Sequence, residues 1–363
     1  MLYQIALSLT PSIGPVQAKL LVDHMGSASD VFKAKSSSLK NIDGIGEVRI
    51  RSIKQFDKFN EAAEEIKFIE KYKISPLFIT DAAYPKRLLN CYDSPVLLYY
   101  KGTTDLNSAK IVSVIGTRNH TEYGKQLTET LIKDLAAHDI LIVSGLAYGI
   151  DAIAHKAALK NNLPTVGVLA HGLDQVYPSQ HKSLAKDMIR QGGLLTEFRS
   201  RSKPDKHNFP TRNRIVAGMS DATIVIETGI KGGSIITAEL ANGYNKDVFA
   251  FPGKTTDAKS AGCNWLIKQN KAMLLTNADE LLDLMGWQPT APKKRLEKQR
   301  ELFIELTAEE KIIVGILKEK EAVHIDEINQ QSGLNSSAVA AAILGLELQN
   351  VVVSLPGKLY QLA

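Results

Sequence analysis

The chain has 363 residues, 23% of them charged, and a formal net charge of +5 at pH 7. This length predicts two or three domains with ample chain for a hydrophobic core, and no apolar run approaches the length of a membrane span. The first residues lack the basic start and apolar stretch of a secretion signal, and Cys91 and Cys263 are isolated from each other and from any ligand pattern. We therefore expect a cytoplasmic protein without a membrane segment, a disulfide or a metal site.

The charge is distributed unevenly along the chain. Residues 303–363 hold four lysines and eight acidic residues, a charge of −4, so the preceding part carries +9. A polyanion would be attracted to the front and middle of the chain and not to its end.

Residues 1–75 predict a small domain of short helices. Two similar glycine turns, at residues 12–16 and 42–47, each precede a helical segment, and a long charged helix is predicted at residues 57–72. Such turns are typical of a helix-hairpin-helix module, whose backbone N–H groups bind a DNA phosphate. The alternative is that these glycines only cap helices. Residues 75–109 predict a connector that joins the edge of the next domain.

Strands and helices alternate between residues 110 and 284. Apolar runs predict strands at residues 111–115, 140–144, 165–169, 194–196, 223–227 and 247–251. The segments between them predict helices at residues 122–138, 151–159, 180–191, 213–219 and 235–242. This alternation predicts an α/β domain, residues 76–287, with a Rossmann-like parallel sheet and helices on both faces. Ligands of such sheets bind at the carboxyl ends of the strands.

Turns rich in glycine or small residues follow four of these strands. The first contains Gly116, Thr117 and Arg118, and the last contains Gly233 and Ser234; the others lie at residues 144–151 and 171–182. Glycine N–H groups and helix starts bind anions, and Arg118 adds a guanidinium that fits a phosphate. The alternative is a set of tight turns with a solvated arginine. The two best-known nucleotide-loop patterns are absent from the first turn.

Residues 198–214 form a basic segment between the fourth and fifth strands. Its Lys and Arg side chains bracket Phe209. Cations that meet phosphates, beside a ring that stacks on a base, suit a single-stranded nucleic acid. A solvated loop would explain the charges but not the aromatic residue among them.

In their order along the chain, these motifs resemble the DNA-processing protein A family, known as DprA or Smf. The resemblance rests on residues 114–118, 144–155, 209–218, 233–239 and 249–253. It implies a single-stranded-DNA-binding protein of natural transformation and recombination, without catalysis or a cofactor. Such a protein protects incoming DNA, forms a homodimer and loads RecA recombinase.

The resemblance also implies which residues bind DNA. The arginine of the family's first turn grips phosphate, which assigns that role to Arg118, and a lysine after the Tyr-Pro segment corresponds best to Lys182. The other implied DNA-binding residues are Gly116, Thr117, Phe209, Arg212, Asn213, Arg214, Gly233 and Ser234.

An enzyme is the competing hypothesis. Residues 232–239 are similar in outline to the glycine turn of Rossmann-like phosphoribohydrolases that act on nucleoside monophosphates. Those enzymes use paired carboxylates, whereas Glu239 has no adjacent acid. Asp151 and His155 form a possible acid–base pair; the other interpretation is that Asp151 caps a helix and His155 packs beneath a loop. A nucleotide-regulated module without catalysis is a third hypothesis.

Residues 303–363 predict a winged-helix domain after a linker at residues 288–302. Helices are predicted at residues 306–318, 324–331 and 336–349, followed by a β-hairpin with Pro356 and Gly357 at its turn. The expected recognition helix, residues 336–349, contains Glu347 but no Lys or Arg. A DNA-reading helix needs cations, so we expect this domain to contact protein or to have no binding role.

Overall fold

The computed structural model describes residues 1–288, 306–320, 322–349 and 351–362. The chain divides into two compact units, Met1–Gln288 and Pro289–Ala363. The predicted helical region 1–75 and the predicted α/β domain 76–287 both fall within the first unit. Apart from its first residue, the linker predicted at residues 288–302 lies outside the described residues.

Short helices form the amino-terminal part of the first unit. They are α1 Leu2–Leu9, α2 Pro15–Met25, α3 Ala28–Lys33, α4 Ser36–Lys40, α5 Glu47–Lys54 and α6 Phe59–Tyr72. The two similar turns precede α2 and α5, which begin after Gly14 and Gly46. Arg49 joins the turns, because its guanidinium donates to Gly44 O at 2.5 Å and to Ser12 O at 3.4 Å. DNA binding by these turns stays a prediction.

A nine-stranded sheet forms the centre of the first unit. Its strands are β1 Ser75–Phe78, β2 Leu97–Gly102, β3 Lys110–Ile115, β4 Ile140–Ser144, β5 Thr165–Val168, β6 Gly193–Thr196, β7 Ala222–Val225, β8 Asp247–Ala250 and β9 Met273–Leu274. Their spatial order is β1-β2-β6-β5-β4-β3-β7-β8-β9. β2 is antiparallel to both of its neighbours, β1 and β6, and every other pair in the sheet is parallel. The predicted Rossmann-like parallel core is confirmed, and β2 attaches the connector to its edge beside β6.

The helices of the sheet domain are α7 Lys86–Leu89, α8 Glu122–Asp134, α9 Ile150–Lys160, α10 Lys182–Gln191, α11 Asn208–Gly218, α12 Gly233–Gly243, α13 Ala261–Lys268 and α14 Ala278–Leu284. Five of them, α8 to α12, correspond to the predicted ones between β3 and β8, whereas α7, α13 and α14 were not predicted. The prediction of a helix at residues 213–219 was wrong at its start, since α11 begins at Asn208. Pro210 lies in the first turn, where N–H groups have no partner within the helix and proline is tolerated. Phe209 and Arg212 therefore stand on a helix and not in a loop.

Two hydrophobic layers cover the sheet, because alternate side chains of each buried strand face opposite sides. Ile142 of β4 packs in the layer formed with α8, α9 and α14, whereas its neighbour Val143 packs in the opposite layer. That second layer includes α11, α12 and α13 and continues into the amino-terminal helices through residues such as Ile5. With both faces covered, the carboxyl edge of the parallel strands is the place left for a ligand.

The second unit has a winged-helix fold, as predicted. Its elements are α15 Ala308–Lys318, β10 Val323–His324, α16 Ile325–Ser332, α17 Ser336–Leu348, β11 Val352–Leu355 and β12 Leu359–Leu362. Asn335 caps α17 by accepting a hydrogen bond from Ala338 N at 2.8 Å. The exposed face of α17 carries Leu344 and Leu348, which are 57% and 77% exposed. This apolar face is not typical of a DNA-reading helix.

Candidate nucleic-acid interface

A cleft of about 710 Å³ opens at the carboxyl edge of the parallel strands. Turns that follow β3, β4 and β7 and the first turns of α11 and α12 form its walls. The structure therefore brings most of the predicted site residues together. Those that line the cleft are Gly116, Thr117, Arg118, Phe209, Arg212, Asn213, Gly233 and Ser234. The two that do not are Lys182 and Arg214.

Arg118 is exposed in the turn after β3 and lies against an aromatic ring. Its guanidinium carbon is 5.3 Å from the centroid of the Phe209 ring, which is in turn 6.1 Å from that of Tyr177. The turn is fixed by its backbone, since Thr117 N donates to Glu227 O at 2.7 Å. A guanidinium held in this way can bind a phosphate while a base packs on the neighbouring rings.

Gly149 allows the loop after β4 to approach the Arg118 turn. Its φ is +77°, and a Cβ atom there would lie 2.2 Å from Thr117 O and 2.6 Å from Arg118 O. Ile150 N donates to Thr117 O at 3.2 Å across the same contact. A side chain at residue 149 would push the Arg118 turn away, so this glycine keeps the guanidinium in place.

The amino end of α12 lies in the cleft. Gly232 precedes the helix and gives it no side-chain cap, and a Cβ atom at Gly233 would meet nothing within 4 Å. Unpaired N–H groups at the start of a helix carry a partial positive charge. Because Arg118 lines the same cleft, two features that attract anions face the same space.

Helix α11 divides the basic residues of the predicted segment between two sides. Phe209, Arg212, Asn213 and Val216 follow the spacing of one helical face, and all four line the cleft. Arg214 falls outside this spacing. Its Nη1 donates to Asp93 O and its Nη2 to the carboxylate of Glu197.

The Arg214–Glu197 ion pair is buried, with 8% and 14% of the two side chains exposed. Burial raises the pKa of Glu197, and the nearby guanidinium opposes that change. Arg214, implied by the resemblance as a DNA contact, is thus engaged inside the protein and does not reach the cleft.

Arg212 lies in the cleft wall with a guanidinium that is also buried, at 4% exposure. Its Nη1 donates to Gly145 O and Val168 O, and its Nε donates to Asn213 Oδ1 at 3.1 Å. Burial lowers its pKa to about 10, so the group stays charged at neutral pH. Arg212 ties the ends of β4 and β5 to α11 and adds positive charge beneath the cleft surface.

Asp151 and His155 are both held inside the protein, but Asp151 does not cap α9, which follows Gly149 without a side-chain cap. Asp151 accepts a hydrogen bond from Ala147 N at 3.3 Å, and its burial raises its pKa against the influence of Arg212. His155 is fully buried, with Nδ1 2.6 Å from Thr165 Oγ1, and burial lowers its pKa to about 3. His155 does not line the cleft, so the pair cannot act together on a ligand there.

Glu239, the acid of the competing enzyme motif, is also outside the cleft lining. Its carboxylate pairs with Lys271 Nζ at 2.7 Å, and both side chains are at least 40% exposed. The paired carboxylates that a phosphoribohydrolase needs are therefore not formed around this residue.

Lys182 begins α10 and is exposed beyond the cleft. A side cavity of about 90 Å³ adjoins the cleft on this side and is lined by Arg118, Tyr148, Tyr177 and Phe209, among others. The Tyr148 ring lies 5.2 Å from that of His181, the residue before Lys182.

Tyr148, Tyr177 and Lys206, which offer rings or a cation, are among the cleft and side-cavity residues that were not predicted from the sequence. Their only signal was a position in a loop after a strand or in the basic segment.

Over residues 1–288 and the described parts of the second unit, no group of three or more His, Cys, Asp or Glu side chains is arranged to hold a metal ion. The helices in those same ranges are too short or too polar to cross a membrane. Cys91 and Cys263 are buried free thiols, and burial raises their pKa values to about 11 and about 12.

Comparison with known proteins identifies the family. The model of the DNA recombination-mediator protein A family matches residues 75–286, and that of the DprA winged helix domain matches residues 300–358. Protein Smf of Synechocystis sp. is 32% identical over 396 residues, covering 99% of this chain and 98% of that protein.

Two solved structures are similar to the chain. The X-ray structure of DNA processing protein A from Streptococcus pneumoniae has a TM-score of 0.69 and 34% identity, covering 78% of this chain and 97% of that one. A structure of DNA processing protein A from Helicobacter pylori, described for its single-stranded DNA binding mode, has a TM-score of 0.54 and 33% identity, covering 59% of this chain and 95% of that one. The chain belongs to the DNA recombination-mediator protein A family, whose members are also called DprA or Smf.

Proposed function

We propose that the protein binds single-stranded DNA along the cleft at the carboxyl edge of its sheet. The observation that carries this proposal is the meeting of Arg118, the Phe209 ring and the amino end of α12 in one cleft. The single-stranded DNA binding mode described for the H. pylori relative supports it.

The cleft offers separate positions for phosphates and for bases. Arg118 and the first N–H groups of α12 suit phosphates, and Lys206 provides a further cation in the cleft wall. The rings of Phe209 and Tyr177 suit the bases, since stacking requires only a π-face. In this proposal the backbone at Gly116 and Thr117 lies close to the bound DNA, and Ser234 adds a hydroxyl near the start of α12.

Lys182 extends this path beyond the cleft. It is exposed and follows His181, whose ring lies 5.2 Å from that of Tyr148 in the side-cavity lining, so we expect a DNA strand that leaves the cleft past Tyr148 to pass near Lys182. Arg212 contributes charge from its buried position, whereas Arg214 has a structural role in this proposal.

The shape of the site favours a flexible strand with little sequence preference. A duplex is too stiff to enter a concave site at successive nucleotides, whereas a single strand can turn its bases outward. Asn213, an amide in the cleft, already accepts a hydrogen bond from Arg212 through Oδ1, which leaves it less able to select a base edge.

Competition binding tests this proposal. A labelled oligothymidylate is bound to the full chain and displaced by unlabelled single strands of different sequence or by a duplex of equal length. We expect the single strands to compete similarly and the duplex to compete much more weakly. Equal competition by the duplex would contradict the proposal.

We further propose that the protein acts without catalysis in natural transformation and recombination. In this role it protects incoming single strands, works as a homodimer and loads RecA recombinase, which implies a cytoplasmic site of action. Family membership is the support for these points. Light scattering tests the homodimer, and strand exchange by RecA on DNA coated with the protein tests the loading. A monomer, or no gain in exchange, would contradict them.

Incubation with AMP separates this proposal from the competing enzyme. Release of adenine would indicate a phosphoribohydrolase, and its absence is expected because Glu239 is paired with Lys271 outside the cleft.

A further inference from the structure

Three acidic residues of α6 contact three consecutive residues at the start of the basic segment. Glu61, Glu64 and Glu65 lie at positions i, i+3 and i+4, which places them on one face of the helix. Arg199 pairs with Glu61 and Arg201 Nη1 lies 3.4 Å from Glu64 Oε2. Between them, the Ser200 backbone and hydroxyl both donate to Glu65.

Glu65 makes the strongest of these contacts. It is 5% exposed and accepts from Ser200 N at 2.9 Å and from Ser200 Oγ at 2.5 Å. A buried carboxylate with two hydrogen bonds is far more costly to lose than an exposed pair. The Arg201–Glu64 pair is 83% and 65% exposed, so solvent screens it strongly.

The Arg199–Glu61 pair is intermediate in exposure, at 41% and 40%. The hydrogen bond from Arg199 lowers the pKa of Glu61. Both arginines therefore face α6, and neither lines the DNA cleft.

From Ser200 the chain runs directly into the cleft wall. Ser202 O accepts from Gly172 N at 3.1 Å and from Gln175 Nε2 at 3.0 Å. Lys203 O accepts from Asn208 Nδ2 at 3.3 Å, and residues 204–206 then line the cleft immediately before α11. The positions of Lys206 and of the Phe209 ring thus depend on a loop that is anchored at one end by α6.

We infer that α6 is a positioning element for single-stranded DNA binding, with Glu65 as its main anchor and Arg199 and Arg201 as parts of the anchor instead of phosphate ligands. This inference rests on the proposed function of the cleft. It gives the amino-terminal helical region a role in DNA binding that needs no contact between that region and DNA.

The test uses Glu65→Ala in the full chain, with Glu65→Gln as the matched control. The alanine removes both acceptors, so we expect affinity for an oligothymidylate to fall about tenfold. The salt slope should stay unchanged, because no phosphate contact is lost. Glutamine keeps an acceptor for Ser200 N and can donate to Ser200 Oγ, so it should restore most of the affinity.

Limited trypsin digestion reports on the loop directly. Trypsin can cut after Arg199, Arg201 and Lys206, whereas Lys203 precedes a proline and resists cleavage. We expect faster cutting at these sites in Glu65→Ala than in Glu65→Gln. If Glu65→Ala proves too unstable for binding, Ser200→Ala removes only the hydrogen bond from Ser200 Oγ and should give the same changes at a smaller size.

Two results would overturn the inference. Tighter binding with a steeper salt slope in Glu65→Ala would mean that the α6 carboxylates compete with phosphates for Arg199 and Arg201. Unchanged binding despite faster cleavage would mean that the position of the loop does not matter. Arg118→Ala in the same assay separates the two proposals: if it weakens binding while Glu65→Ala does not, only this inference fails, and if neither weakens binding, the cleft itself is wrongly assigned.

Discussion

The guanidinium carbon of Arg118 lies 5.3 Å from the centroid of the Phe209 ring, although one residue follows β3 and the other lies in the first turn of α11. This pairing puts a cation that can bind a phosphate beside a ring on which a base can stack. The two parts of one nucleotide would therefore meet different side chains that the fold holds together. A cation–π contact of this kind also favours the Arg118 rotamers that keep the guanidinium over the ring.

Replacing Phe209 with alanine removes the stacking surface and leaves the cations in place. We expect affinity for single-stranded DNA to fall by about 1–3 kcal/mol. The dependence on salt should not change, since no phosphate contact is removed. Fluorescence anisotropy titrations at several salt concentrations measure both, with Phe209→Tyr as the control that keeps a ring. Full affinity in the alanine variant would contradict a stacking role.

A negative charge at the start of α12 should raise the stability of the helix but weaken DNA binding. Asp at residue 233 complements the helix dipole and is expected to stabilise α12 by about 0.3–1 kcal/mol. The same charge repels a phosphate by about 1–4 kcal/mol at contact distance. Gly233→Asp should thus unfold at higher urea concentration yet bind DNA more weakly.

The neutral control for this change is Gly233→Asn, which has nearly the same shape. Because a Cβ atom at residue 233 meets nothing within 4 Å, both variants should fold. Equal DNA affinity of the Asp and Asn variants would show that no phosphate lies at this helix end.

Arg214 should matter for stability and not for DNA contact. Arg214→Met leaves the Glu197 carboxylate buried without its partner, at an expected loss of about 3–5 kcal/mol in the free energy of unfolding. Adding Glu197→Leu removes the unpaired charge and should recover part of that loss. Urea denaturation measures both changes. A binding assay on the folded single variant completes the test, and a shallower salt slope there would indicate a phosphate contact after all.

The winged-helix unit should be dispensable for affinity. Its α17 carries exposed leucines and no Lys or Arg, so it offers little to a phosphate backbone. A chain that ends at Gln288 retains the whole first unit and should bind single-stranded DNA as the full chain does. A tenfold weaker complex, about 1.4 kcal/mol, would contradict this expectation.

Local patterns were enough to predict β3 to β8 and the edge of the sheet at which their turns meet. Runs such as residues 111–115 and 140–144 are apolar and β-branched because parallel strands are buried on both faces. The alternation of strands and helices then leads to one edge where the turns meet. The start of α11 is not visible in the sequence, because Pro210 suits a loop as well as the first turn of a helix.

The roles of individual arginines could be distinguished only in the structure. Arg212 and Arg214 look alike in the sequence, yet their different positions around α11 send one to the cleft and the other to Glu197. The acids of α6 belonged to a helix predicted only as charged, and nothing local indicates that Glu65 accepts hydrogen bonds from Ser200. Such pairings depend on contacts between distant parts of the chain.

The most direct measurement of the central claim is the salt dependence of single-stranded DNA binding by Arg118→Ala. Its matched control is Lys133→Ala, which removes an exposed cation from the last turn of α8, roughly 17 Å along that helix from its first residue. If Arg118 binds a phosphate, its removal weakens binding and makes the slope of log K against log salt shallower by about 0.7, while the control keeps the original slope. Unchanged affinity and slope in Arg118→Ala would contradict the claim that DNA lies in this cleft.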